Sequence, residues 1–183
     1  DTPPEEVGPA AVSSPANGHR SSAAPSPLHS LRATTKGDTA LALLSRERRS
    51  PPILTLSEAL DKMLGGGVHQ RQFTEFYGEP GIGKTQLAIQ LCCDVQMPAC
   101  FGGPEGEAVY IDTEGSFMPE RAAQMALALC LHLKSMANSR GDEKQRGAAA
   151  ALSPETMLSG IHVFRVYDYV EQVSCIHQLP AFL

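Results

Sequence analysis

The chain has 183 residues, 42% of them hydrophobic and 19% charged, with a formal net charge of −5. That length suits one domain with accessories, or part of a larger domain, and the acidic balance supplies no whole-molecule field to draw in DNA or anionic lipid. Five cysteines are too few for a disulfide scaffold and none forms a CxxC pair, so reduced thiols in a cytosolic or nuclear compartment are expected. No apolar run approaches the roughly 18 residues of a membrane span, and no signal-peptide core is visible.

Residues 1–52 hold eight of the fourteen prolines and no aromatic residue. Ser, Ala and Pro dominate, so 1–38 buries too little apolar surface to offset the entropy of ordering and is expected to be a disordered tail. Thr39 to Arg49 has the pattern of a short helix, with Leu41 and Leu44 on one face, stopped by Pro51-Pro52. The basic run Arg46–Arg49 reads as a solvated helix end rather than an import or phosphate-contact signal. The stretch 39–52 is therefore a short helix and linker.

From Ile53 onward the character changes, because all ten aromatics lie between Phe73 and Phe182. This stretch carries nine basic and fifteen acidic residues, a net −6. Ser57 is placed to cap a helix over Glu58–Leu64, ended by Gly65-Gly66-Gly67. Gln72–Tyr77 reads as a strand, and Lys84–Val95 as a helix with Leu87, Leu91 and Val95 on one stripe. Glu107–Asp112 reads as a buried strand. Pro119–Ala137 reads as a helix with Met125, Leu129, Leu133 and Met136 inward. Residues 138–152 look like a polar, low-complexity insertion. Ser153-Pro154-Glu155 opens another helix, Ile161–Val166 is a strand, and Asp168 caps a last helix. Alternating strands and helices predict an α/β fold with a mostly parallel sheet.

Between the first strand and its helix, Gly78-Glu79-Pro80-Gly81-Ile82-Gly83-Lys84-Thr85 fits the phosphate-loop pattern G-x-x-x-x-G-K-[ST] in full. Glycines let the backbone wrap so that successive N–H groups face phosphate oxygens, and the following helix adds its positive dipole end. Lys84 would reach the β- and γ-phosphates, and the Thr85 hydroxyl would ligate Mg²⁺. A chance match is expected in roughly one of 200 sequences of this composition, and the strand–loop–helix context lowers that further. The next strand ends in Asp112-Thr113-Glu114-Gly115-Ser116-Phe117, at the same sheet edge as the loop in a parallel sheet. Glu114 there is either a helix cap or the group that orients attacking water. Asp112 is either a cap or a group that supports the surroundings of Mg²⁺ without touching the ion.

Gly65-Gly66-Gly67, GEPGIGKTQ (78–86) and YIDTEGSF (110–117) together resemble the eukaryotic RecA-like recombinases, and most of all their C-type paralogues. Further likeness lies in TALALL (39–44), ALDKMLGGGV (59–68), DVQMPACFGG (94–103), YDYVEQ (167–172) and QLPAFL (178–183), so it covers about residues 39–183. The resemblance implies a RecA-type P-loop core over 53–183, binding ATP with Mg²⁺ through Gly78 to Gln86. It also implies that Glu114 is catalytic and that Arg121 packs on the adenine. Function in nuclear recombinational DNA repair, beside other recombinase paralogues, follows from the same likeness. The family's second nucleotide motif and its DNA-binding loops are expected beyond Leu183, and its N-terminal helical domain is not recognisable in 1–38. Little ATP hydrolysis by this stretch alone is therefore expected. Two other readings stay open: an interaction module docking on a partner paralogue, and an unrelated P-loop kinase.

The six histidines show no metal spacing; His132 and His162 read as packing or surface residues. Cys92-Cys93 reads as a pair of buried thiols on the helix after the loop.

Overall fold

The computed structural model describes residues 38–140 and 142–182. The tail expected over 1–38 thus lies, but for Asp38, outside the described residues. Helix α1 (Ala40–Arg49) ends at Ser50, whose Oγ donates to the Arg46 carbonyl. An isolated antiparallel bridge, Ile53 to Val68, then closes a loop around α2 (Glu58–Met63). Gly67 permits that closure: its φ is 128°, and a Cβ there would stand 2.6 Å from the Ile53 carbonyl oxygen. Ser57 precedes α2 but its side chain makes no cap bond. The polar tie is made by Thr55 instead, whose N–H and Oγ1 both donate to Asp61 Oδ1 at 2.9 and 2.8 Å.

The centre of the molecule is a helix pair, α3 (Lys84–Asp94) and α4 (Pro119–Arg140). Small residues make their close approach possible, since Ala122 and Ala126 of α4 are fully buried and the Cys93 thiol lies 4.0 Å from the Ala122 carbonyl. Ile89, Met97, Leu133 and Met157 complete the core. On α3 the buried face is Ile89, Cys92, Cys93 and Asp94, whereas Leu87, Leu91 and Val95 are only half-buried. The expected stripe is therefore off by part of a turn, because α3 is covered on more than one side. On α4, Leu129 and Leu133 are buried as expected, but Met125 and Met136 are half-buried and Ala122, Ala126, Cys130 and Ala137 take the core positions.

Strands β1 (Ala108–Asp112) and β2 (Ile161–Arg165) pair in parallel, Ala108 opposite Ile161 and Asp112 opposite Arg165. The crossover between them carries α4, α5 (Glu143–Ala151) and α6 (Pro154–Ser159). Helix α5 occupies the stretch expected to be a polar insertion. Asp142 Oδ1 caps it by accepting from the N–H groups of Lys144 and Gln145, and the buried Gln145 amide donates to the Cys100 carbonyl at 2.7 Å. Ser153 and Thr156 form a capping box at the start of α6. Asp168 Oδ1 accepts from Glu171 N–H at the start of α7 (Tyr169–Phe182), as the sequence suggests.

The segment expected as the first strand, Gln72–Tyr77, forms no strand among the described residues. Phe73 and Tyr77 are exposed and Thr74 and Phe76 half-buried, so the alternation of a strand is present without a ladder. Alternation sets which side chains share a face, but a strand also needs neighbouring backbone to accept its hydrogen bonds. No described helix is long and apolar enough to cross a membrane.

Candidate nucleotide-binding site

The loop 78–85 leads directly into the first turn of α3. Gly81 and Gly83 hold φ values of 85° and 102°, in the left-handed region where a side chain would be strained. Gly83 is the N-cap and has no side chain to close the helix end, so the first N–H groups of α3 lack a capping acceptor. An uncapped helix start beside a glycine-shaped loop is a concentration of donors and positive partial charge, which suits an anion of several oxygens. Lys84 stands at this end, its ammonium donating to the carbonyls of Gly78 and Glu79 at 2.8 and 2.9 Å. Those bonds hold the cation over the loop it would share with phosphate. Thr85 is half-buried on the same turn, while Pro80 and Ile82 are exposed on the loop.

Gln86 and Arg121 meet across the two central helices. Arg121 Nε donates to Gln86 Oε1 at 2.6 Å and Nη1 to Gln124 Oε1 at 3.0 Å. The sequence places Arg121 by family likeness alone; the structure adds that it ties the start of α4 to the start of α3.

The turn after β1 is organised by Asp112, which is 2% exposed. Its Oδ1 accepts from Ser116 N–H at 3.0 Å, and Oδ2 accepts from Phe117 N–H at 3.2 Å and Arg165 Nη2 at 3.4 Å. Burial works against the charge, but the two N–H groups and the guanidinium outweigh it and hold the carboxyl below its usual range. Asp112 therefore staples the turn, the capping role that the sequence offers as one of its two alternatives. Arg165, its partner, was not legible as a site residue; only the parallel register brings it opposite Asp112. Glu114 is exposed on this turn beside Gly115, whose φ is 70°. No hydrogen bond among the described residues joins Glu114 to Lys84 or Thr85.

The thiols behind the loop are inert in character. Burial, with the neighbouring Asp94 carboxyl, pushes Cys92 up to about 11 and Cys93 up to about 12. Among the described residues no group of three or more His, Cys, Asp or Glu is arranged to hold a metal ion, and His162 instead pairs with Glu107 at 2.7 Å.

The family model described as Rad51 matches residues 48–140, a stretch that contains the loop, both central helices and the turn after β1. The chain belongs to the Rad51 family. It is 48% identical over 145 residues to the DNA repair protein RAD51 homolog 3 of Cricetulus griseus, covering 79% of this chain and 40% of that protein. It is also 40% identical over 148 residues to the protein of the same name from Dictyostelium discoideum, covering 80% of this chain and 38% of that one. The chain thus spans about two fifths of the length of these curated relatives. Its parallel strands, crossover helices and loop-to-helix junction form a partial RecA-type core, the fold class expected from the sequence.

Proposed function

We propose that this chain is the ATP-binding part of a recombination paralogue acting in homologous-recombination DNA repair, in the nucleus and beside other recombinase paralogues. The observation that carries the reading is the complete phosphate loop, its glycines at positive φ, opening onto an uncapped helix start with Lys84 beside it. The backbone N–H groups of the loop from Gly81 to Thr85 would take the phosphate oxygens within the stretch Gly78 to Gln86, with Lys84 leaving its two carbonyls to meet them. Thr85 would offer its hydroxyl to Mg²⁺, which supplies charge neutralisation at the phosphates when bound. Glu114 would orient water, Gln86 would line the γ-phosphate side, and Arg121 would pack on the adenine. Contacts with DNA and with partner paralogues are assigned by the same reading to the whole protein.

Calorimetric titration of the full chain with Mg-ATP tests it. Lys84→Ala is expected to weaken binding by about 2–4 kcal/mol, the scale for removing one member of a buried charge pair. Equal affinity in wild type and variant would remove the basis of the proposal.

A further inference from the structure

A cavity lies in the groove between α3 and α4, toward the far end of α3 from the phosphate loop. Its volume is about 230 Å³, and it is lined by Leu56, Gln90, Cys93, Asp94, Met125, Ala128, Leu129 and His132. Asp94 is 1% exposed, and its Oδ2 has no hydrogen-bond partner among the described residues. The Gln90 amide donates to the Thr55 carbonyl at 2.6 Å and also supports the Asp94 carboxyl by a hydrogen bond, which leaves Oδ2 unsatisfied. No Lys or Arg among the described residues lines the cavity. A buried carboxylate that is neither paired nor fully hydrogen-bonded is costly, and such groups in native structures call for an explanation.

We infer that this cavity receives an arginine side chain presented by a partner polypeptide. The volume lies below the roughly 300–1,000 Å³ of pockets that enclose whole small-molecule ligands, and suits one inserted side chain. Leu56, Met125 and Leu129 offer apolar wall for an aliphatic stem, with a lone acid at its end. A guanidinium is the fitting head group, because it sheds water more readily than an ammonium and forks onto a carboxylate. The rim can give way: Leu56 is exposed and held at φ 60°, and Met125 is an unbranched, flexible side chain. Among the described residues, none lining the cavity supplies a fixed competing cation. Asp61 contributes further negative charge, Cys93 is a neutral thiol, and His132 stands exposed on α4. Burial pushes the Asp94 carboxyl up to about 7, against the Gln90 hydrogen bond and with the help of Asp61, so the pocket is ready for a cation above neutrality. This inference does not depend on nucleotide binding.

Titration of the full chain at pH 8 with N-acetylargininamide, followed by amide NMR shifts, tests it. Saturable shifts are expected at Gln90, Leu129 and His132, with the neutral isostere N-acetylcitrullinamide binding at least tenfold more weakly. Binding should fall at pH 6, and Asp94→Asn should abolish the preference. If Asp94→Asn fails to fold, Ala128→Lys, on the exposed rim, gives an independent check by filling the cavity from within and excluding the probe. Equal responses to arginine and citrulline derivatives, shifts elsewhere only, or no saturation overturn the inference. N-acetyllysinamide binding as tightly as the arginine probe overturns the choice of arginine.

Discussion

Two buried aspartates respond to acid in opposite senses. Asp112 is held below its usual range by the N–H groups of Ser116 and Phe117 and by Arg165. Its contribution is present above the unfolded carboxyl value of about 3.9 and is lost as pH falls through the lower folded value. Asp94 is raised to about 7, so between about 4 and 7 the folded chain holds a proton that the unfolded chain has released. Its effect is that stability declines as pH rises across that window and levels off above it. Asp94→Asn should therefore be more stable than wild type at pH 8, by on the order of 2–4 kcal/mol, with the gain vanishing near pH 4. Urea unfolding at pH 4.5, 6 and 8 measures this, and a constant difference across the three would contradict the assigned burial. Asp112→Asn should lose about 1–3 kcal/mol at neutral pH, since the charged acceptor of two N–H groups becomes a weaker one. The same unfolding curves read that loss. Glu114 sits on the turn Asp112 holds, so Glu114→Gln should leave Mg-ATP affinity within about twofold while lowering turnover in a full-length relative.

At the scale of elements, the helices and strands with local signals of their own were legible, including α1, α2 and α7, whereas α5 and the stretch 72–77 were not. The phosphate loop and α3, β1, α4, α6 and β2 fall within a few residues of their expected spans, because each has a stop, a cap or an apolar pattern of its own. The Ser153 capping box is the plainest example. Helix α5 was hidden because its sequence, EKQRGAAAA, has almost no apolar stripe to read. Its available signal was Asp142 standing before a run of strong helix formers. Asp142→Ala should cost about 1 kcal/mol and speed hydrogen exchange selectively over 143–149, measured by mass spectrometry. Uniform exchange along the chain would show that packing of Gln145 and Ala149 holds the helix without its cap. The departure from a strand at 72–77 has another source. Alternation there was real, but strand formation depends on neighbours that a local pattern does not specify. For the site, the loop 78–85 was readable from spacing and Gln86 only from family likeness, whereas Arg165 beside Asp112 and the Gln86–Arg121 bond arise only when distant elements meet.

For the molecule as a whole, the charge distribution bears on what this chain does alone. The formal net charge is −5, and several cations of the described region are engaged locally. Lys62 pairs with Glu58 at 2.6 Å, Lys84 sits on loop carbonyls, Arg165 faces Asp112, and Arg121 is bonded to Gln86. Binding to nucleic acid is driven mainly by release of counterions as Lys and Arg neutralise successive phosphates, so it needs a row of available cations on one face. Single-strand binders add aromatics interleaved with that row. The exposed aromatics Phe73, Tyr77, Tyr167 and Tyr169 lie in stretches with few basic residues, and the densest basic run, Arg46–Arg49, has no aromatic neighbour in sequence. The 183-residue chain is therefore expected to bind single-stranded DNA more weakly than the roughly 10⁻⁴–10⁻⁶ M typical of non-specific contacts at physiological salt. Fluorescence anisotropy with a labelled oligonucleotide at 50 and 200 mM salt measures it. Tight binding that collapses between those concentrations would reveal a continuous basic surface. Loss of that binding in a variant with Arg46 and Arg49 changed to Ala would place the surface on α1.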